Sequence, residues 1–140
     1  VPQRVSHDIG NGPFRLADVA AAVWSQRRIE HRLARTSFQT VLVELRHLAE
    51  QRTQDDSMKF RSGPTVRAFE HARLLRSAAD RCLPRSIALK LRLAKLRHRT
   101  HLVIGVKDRP FGAHAWVQHG DIVLNDSLEE VRRYTPILII

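Results

Sequence analysis

The sequence has a single cysteine among its 140 residues, so no disulfide can form within the chain. This composition is typical of the reducing cytoplasm, and it leaves the thiol of Cys82 for a chemical or a packing role. No run of 18 or more apolar residues is present, and the N-terminal VPQRVSHDIG lacks the apolar core of a signal peptide. We therefore expect a cytoplasmic protein with no membrane span.

Aromatic residues are also scarce, at 6% of the chain, whereas arginine is abundant and the net charge is +10. Few aromatic rings are available to stack on bases, and neither a helix-turn-helix signature nor a zinc pattern of paired Cys and His is present. These absences argue against nucleic-acid binding despite the charge. An Arg-rich solvated surface and a surface for an acidic peptide or protein both remain open.

The chain length predicts one domain, 1–140, with a single core. Apolar residues recur at helical spacing through most of the first hundred residues, and turn signals divide this pattern. We predict four helices, with Ser37 capping the second and Pro84 in the first turn of the fourth. Their ranges are 14–35, 38–52, 65–82 and 83–99. The residues expected to share the apolar face include Leu16, Val19, Ala20, Val23 and Trp24 on the first helix and Val41 and Leu45 on the second.

Between and after these helices the pattern changes. Residues 1–12 are predicted to be irregular, and the polar stretch 53–65, with Gly63 and Pro64, is predicted to be a loop. After Thr100 the apolar run and alternation are typical of β-strands. The predicted strands are 101–106, 113–118, 121–126 and the run after Pro136. The fold class is therefore α+β, with a helical part at 1–62 and a core at 63–140 that contains a small antiparallel sheet.

The predicted hairpin of the second and third strands places two titratable residues together. If residues 119–121 form a three-residue loop, Gln118 pairs with Ile122 and His114 lies directly opposite Asp126. Cross-strand partners have Cβ atoms about 5 Å apart, which suits a carboxylate that holds an imidazole N–H. A two-residue loop would shift the register by one and put the two side chains on opposite faces.

In the three-residue register, Trp116, Ile122 and Leu124 share the face of His114 and Asp126. We expect the helix that follows Cys82 to cover this face. A thiol at a helix start experiences the positive end of the helix dipole, and a nearby imidazolium adds to the effect, so its pKa can fall from about 8.5 to roughly 3.5–7.5. The backbone N–H of Cys82 would also be available to an oxyanion.

Cys82, His114 and Asp126 can thus supply a nucleophile, a base and the group that orients the base. Each also has a simpler interpretation: a buried thiol, a sheet histidine and a turn or capping carboxylate. Metal binding is the competing hypothesis, through His98 with His101 or His114 with His119. Neither pair has the i, i+4 spacing of helical zinc ligands, so we predict no metal and no cofactor.

The C-terminal half resembles the leader peptidases of lasso-peptide biosynthesis, which belong to the transglutaminase-like cysteine protease superfamily. The resemblance covers roughly residues 66–140. The matching pieces are Cys82, Leu83, Arg85 and Ser86; Ile104, Gly105 and Val106; Ala113, His114, Ala115, Trp116 and Val117; and Asp126.

The resemblance implies a papain- or transglutaminase-like core with the cysteine at a helix N-terminus. It also implies that Cys82 is the nucleophile, His114 the general base and acid, and Asp126 the orienting group in removal of a leader from a ribosomal precursor peptide. Because the chain begins with helices, it resembles the stand-alone peptidase of a split system. The expected partners are the precursor, a separate leader-recognition protein and a macrolactam-forming cyclase. A transglutaminase-like acyl transferase and a basic, non-catalytic peptide-binding module are the alternatives.

Overall fold

A computed structural model describes residues 4–5, 15–50, 58–75 and 81–140. Within these ranges the helices are α1 (Leu16–Arg35), α2 (Phe38–Glu50), α3 (Met58–Leu75), α4 (Cys82–Lys95) and α5 (Leu128–Val131). The strands of the same residues are β1 (Arg4–Val5), β2 (His101–Asp108), β3 (Phe111–His119), β4 (Ile122–Val123) and β5 (Thr135–Ile139). The α+β prediction is confirmed. No helix in the described ranges is long and apolar enough to cross a bilayer.

The first two helices begin close to their predicted positions. The Ser37 hydroxyl accepts a hydrogen bond from the Thr40 N–H at 3.3 Å, as a residue that caps α2 should. On that helix Val41 and Leu45 are buried as expected. On α1 the buried face includes Val19 and Ile29, because the helix packs against α3 and α4.

Part of the apolar stripe predicted for α1 is wrong. Leu16 and Trp24 are 80% and 62% exposed, and Ala20 is exposed as well. The buried positions include Ala22 and Gln26, a polar residue that donates to Glu30 one turn later. The helix is therefore rotated relative to the face that apolar residues alone predict, and its exposed tryptophan needs a separate explanation.

The loop predicted for residues 53–65 is wrong over the part that the structure describes. Helix α3 begins at Met58 and contains Pro64 in its interior. Proline lacks the N–H for one helical hydrogen bond, so this position carries a cost. Burial of Val66 and Phe69 in the core offsets that cost, which is how packing overrides a local turn signal. Residues 51–57 lie outside the described part.

The sheet has the strand order β1-β4-β3-β2-β5. Strands β2, β3, β4 and β5 pair antiparallel, as predicted, whereas β1 runs parallel to β4. Residues 4–5 therefore form an edge strand instead of the irregular segment that we expected. The strand after the last helix joins the other edge, beside β2.

The predicted three-residue hairpin loop is wrong. His119 pairs with Ile122, so only Gly120 and Asp121 form the loop. Gly120 has φ +57°, and glycine with positive φ at the first of two loop residues is typical of a type II′ turn. The register is therefore one residue away from the predicted one, and it would separate His114 from Asp126 if the ladder continued.

The shifted register distributes the hairpin side chains between two cores. Ile122 and Leu124 lie in the large core between the sheet and the helices, with residues of α4 such as Leu89. Trp116 lies in a smaller core on the other face, with Val131 of α5. The prediction that Trp116, Ile122 and Leu124 share one face under the Cys82 helix is therefore wrong.

A buried lysine in the second half of helix α4 anchors this helix to the residue before β2. The ammonium of Lys90, 4% exposed, donates a hydrogen bond to the carbonyl of Thr100 just before β2. Burial and the charge of Arg99 lower the pKa of Lys90 to about 8. This contact ties α4 to the residue before β2, and nearer the helix start the Ser86 hydroxyl donates a hydrogen bond to the Ala115 carbonyl in β3.

Candidate functional site

Cys82 is the first residue of α4, as the sequence predicts. Its side chain lies beside β3, where the thiol is hydrogen-bonded to the His114 ring and faces the backbone N–H of Ala115. The thiol is half-buried within the site. A sulfur held at a helix start between an imidazole and a backbone donor is positioned to be stabilised as a thiolate.

His114 also contacts the side chain of Asp126, which lies in the loop that follows β4. The distance from His114 Nε2 to Asp126 Oδ2 is 2.6 Å, and the two side chains are 12% and 5% exposed. The other carboxylate oxygen, Oδ1, accepts the Ser127 N–H at 2.8 Å. The imidazole therefore lies between a thiol and a carboxylate, and the backbone N–H of Ser127 fixes the orientation of that carboxylate.

The charges in this Cys82–His114–Asp126 cluster favour an ion pair. Burial raises the pKa of Cys82, but the hydrogen bond from His114, the Ala115 N–H and the charges of His114 and Arg85 outweigh it and leave the pKa below its ordinary value. Burial lowers the pKa of His114, but Asp126 and Cys82 together raise it to about 9. For Asp126, burial opposes the His114 and Ser127 hydrogen bonds, and its pKa is lowered. These directions favour a thiolate beside an imidazolium.

The contact between His114 and Asp126 exists despite the shifted register, because the chain leaves the ladder after Leu124. The Leu124 N–H still donates to the Val117 carbonyl at 2.9 Å. The reciprocal bond is replaced, since the Val117 N–H donates to the side-chain oxygen of Asn125 at 2.8 Å. The backbone is thus free to turn at Asn125, and Asp126 returns to the imidazole.

A buried polar network holds the three parts of the cluster together. Asn125 Nδ2 donates to the Ser86 hydroxyl at 3.0 Å, and that hydroxyl donates to the Ala115 carbonyl at 3.0 Å. Ser86 and Asn125 are 0% and 3% exposed. Ser86 lies one helical turn after Cys82, Ala115 follows His114, and Asn125 precedes Asp126. Sequence reasoning assigned Asn125 no role beyond a turn, although its position beside Asp126 was the available signal.

Two aromatic rings pack against the imidazole ring of His114. The Tyr134 and Trp116 rings lie 5.1 Å and 6.1 Å from the imidazole, centroid to centroid. This packing depends on Gly105, the cross-strand partner of His114, because a Cβ there would come within 2.9 Å of Tyr134 Cβ. Sequence reasoning did not place Tyr134 at the site.

Charged residues on α3 and α4 interact with the cluster, and sequence reasoning gave them no electrostatic role there, although Arg85 is part of the motif that carries the resemblance. Burial raises the pKa of Glu70, while Arg73 and Arg85 oppose that rise. Burial and the charge of Arg73 lower the pKa of Arg85, which is 6% exposed, against the influence of Asp126 and Cys82. The site therefore combines a thiol with buried charges of both signs.

The histidines proposed as alternative metal ligands have other environments. His98 is buried, with 2% of its surface exposed, although it lies in a basic stretch where a solvated histidine is the simplest interpretation. The Arg99 carbonyl and His119 Nδ1 are 3.0 Å apart, which ties the hairpin tip to the start of β2. Among the residues that the structure describes, no three His, Cys, Asp or Glu side chains are grouped so that they could hold a metal ion.

Comparison with known proteins relates the chain to a family and to a curated relative. The profile of the transglutaminase-like superfamily matches residues 23–139. The microcin J25-processing protein McjB of Escherichia coli is 48% identical over 46 residues, which are 33% of this chain and 22% of that protein. The match thus covers about a fifth of that relative's length. No solved structure matches the chain.

Proposed function

The chain belongs to the transglutaminase-like superfamily, and from this premise we propose that it is a cysteine peptidase that removes the leader from a precursor peptide of the lasso type. The observation that carries the proposal is the double contact of His114, which meets the Cys82 thiol and the Asp126 carboxylate at once. The partial similarity to a protein named for processing microcin J25 supports the choice of a peptide substrate.

In the proposed mechanism the Cys82 thiolate attacks the carbonyl carbon at the leader–core junction. The amide nitrogen takes a proton from the His114 imidazolium and leaves as the new N-terminus of the core. This leaves the leader bound to Cys82 as a thioester. His114, now neutral, accepts a proton from water as the oxygen attacks the thioester carbon, and the C–S bond breaks to release the leader as a free acid and restore the Cys82 thiolate beside the His114 imidazolium. Asp126 keeps the imidazole oriented and stabilises its positive charge in the thiolate state.

In the proposed role, accessory proteins act before and after the cleavage step and not in its chemistry. A separate leader-recognition protein would present the precursor, and a cyclase would then use the new amine of the core. Single-turnover cleavage with and without the recognition protein separates delivery from chemistry, because delivery changes the concentration dependence and chemistry changes the limiting rate.

The direct test uses mass spectrometry of the precursor encoded beside this chain, incubated with the wild-type protein and with Cys82→Ala. We expect leader release with a free carboxylate in the wild type and none in the variant. Asp108→Asn, an exposed carboxylate at the end of β2, is the matched control and should cleave normally. Leader release by Cys82→Ala would contradict the proposal, and an amide product in place of an acid would show acyl transfer to an amine.

A further inference from the structure

The exposed Trp24 of α1 lies at a groove on the helical side of the molecule, which we call the helical groove. It lies between α1, α2 and α4 and has a volume of about 310 Å³. Its apolar lining includes Ile29 and Leu91, and the Trp24 ring, 62% exposed, forms part of its wall. A large aromatic side chain left this exposed beside a concave surface is typical of a binding site.

The polar lining of the helical groove is strongly cationic. It has one carboxylate, Glu44, which is already paired with Arg32 at 2.5 Å. The guanidinium of Arg28 lies 5.4 Å from the Trp24 ring centroid. Arg92 and Lys95, on the last turns of α4, add two exposed charges along the rim. An occupant with carboxylates beside an apolar strip would complement both features.

The helical groove also has a fixed position relative to Cys82, because both lie along α4. Arg92 comes ten positions after Cys82 on this helix, and at 1.5 Å per residue the two are about 15 Å apart along the axis. An extended peptide covers that distance with about five residues, at roughly 3.3–3.6 Å each. A substrate held at the thiol can therefore place a distant segment in the groove.

We propose that the helical groove binds an acidic, amphipathic segment of the leader, at least about five residues upstream of the scissile bond. The proposal rests on the function proposed above for its occupant. The leader is the part of the precursor that the reaction discards, so its sequence is free to serve recognition. The apolar side chains of the segment contact Trp24 and Leu91, and its carboxylates pair with Arg28 and Arg92.

The test uses Cys82→Ala protein, so that binding is measured without turnover. The probe is a dye-labelled synthetic 14-residue peptide with leucines on one helical face, glutamates flanking them and no tryptophan. We expect saturable binding by fluorescence anisotropy, weakened as salt rises, and a change in the emission of Trp24. Trp116 is fully buried and provides a constant background. A peptide of the same composition with leucines scattered around the helix should bind at least tenfold more weakly.

Charge reversal locates the site. Arg28→Glu with Arg92→Glu should weaken binding of the probe at least tenfold. Arg27→Glu with Arg46→Glu makes the same change in net charge at exposed positions of α1 and α2 outside the groove lining, and should change the affinity by no more than about twofold. Arg28→Gln with Arg92→Gln removes the two charges without reversing them and should give an intermediate loss of affinity. This pair replaces the charge-reversed one if the latter does not fold.

Three results would overturn the proposal: no saturable binding, equal losses in both charge-reversed pairs, or equal binding of the two peptides. Equal losses would indicate attraction to the positive chain as a whole. If the precursor is not cleaved but the probe still binds through Arg28 and Arg92, the peptidase proposal fails and the peptide site stands. If cleavage proceeds and the probe does not bind in the groove, the reverse holds, and a recognition protein becomes the candidate occupant.

Discussion

The Ser86 hydroxyl donates a hydrogen bond to the Ala115 carbonyl at 3.0 Å, and this contact ties the helix that begins at Cys82 to the strand that carries His114. The same hydroxyl accepts from Asn125, the residue before Asp126. One buried side chain thus links the three segments that supply the thiol, the imidazole and the carboxylate. Each link lies one residue or one helical turn away from the group that it positions.

Replacing Ser86 with alanine should loosen this arrangement. The variant leaves the Ala115 carbonyl without this donor and the buried Asn125 amide without this acceptor, so we expect a loss of about 1–3 kcal/mol in the free energy of unfolding. Urea denaturation measures it. The rate of Cys82 alkylation by iodoacetamide at mildly acidic pH should also fall, because the thiolate depends on alignment with His114.

The control for Ser86→Ala is Ser37→Ala, which removes the cap of α2. A lost cap also costs about 1 kcal/mol, but it lies away from the thiol. Ser37→Ala should therefore lower stability and leave the alkylation rate of Cys82 unchanged. Equal alkylation rates in Ser86→Ala and wild type would contradict the positioning role.

Gly105 should tolerate alanine poorly because of the rings that support His114. The new Cβ would lie 2.9 Å from Tyr134 Cβ and 3.0 Å from Trp116 Cη2, so both rings must shift in a closely packed region. We expect a destabilisation of about 1–3 kcal/mol, measured by thermal or urea unfolding. Gly112→Ala on the neighbouring strand is the control, since its Cβ first meets the flexible Lys107 side chain at 3.2 Å. Similar losses in the two variants would refute this explanation.

Arg85→Met should raise the pKa of Cys82. The buried guanidinium is one of the charges that favour the thiolate, and methionine fills similar volume without charge. The pH profile of iodoacetamide labelling should move to higher pH. Arg92→Met removes an exposed charge from the same helix and should leave the profile in place. A profile that is identical in Arg85→Met and wild type would show that Arg85 serves packing alone.

Much of the architecture could be predicted because it follows from periodicity. The buried positions Val41 and Leu45 follow a helical repeat. The side chains of β3 follow a strand repeat, since Ala115 and Val117 lie in the large core and Trp116 lies in the small one. Pro84 placed Cys82 at a helix start because proline is tolerated in a first turn. Pro64 gave the opposite lesson. Its local signal indicated a loop, but burial of the residues that follow it keeps the segment helical.

The hairpin shows why sequence reasoning brought the right residues together through the wrong geometry. Counting along an ideal ladder required a three-residue loop before His114 could meet Asp126. The loop has two residues, and the side chain of Asn125 replaces a backbone acceptor so that the strand ends early. Ladder counting treats every position as paired. It cannot represent a side chain that takes over a backbone hydrogen bond.

The Asp126 carboxylate should make stability depend on pH, and the dependence is clearest without the thiol. In the folded wild type, the thiolate and the imidazolium together hold one titratable proton. In the unfolded chain, the thiol and the neutral imidazole also hold one proton at any pH between their ordinary pKa values. Folding therefore changes the number of bound protons little, and the pH dependence of stability from these two groups largely cancels. In Cys82→Ala the thiolate is gone, so Asp126 is the remaining group that raises the pKa of His114. His114 should then keep a folded pKa above its ordinary 6.5, although below the value of about 9 reached with Cys82 present.

The folded state of Cys82→Ala should therefore bind more protons than the unfolded state above pH 6.5. The stabilisation is complete below about pH 6.5 and is lost as the pH rises through the folded pKa of His114, a change on the order of 1–2 kcal/mol. Urea unfolding of Cys82→Ala and of Cys82→Ala with Asp126→Asn, from pH 6 to 9, measures it. Lys90 also titrates near pH 8, but it contributes equally to both proteins and cancels in their difference. The difference in stability should shrink as the pH rises; a constant difference would mean that Asp126 does not hold the charge of His114.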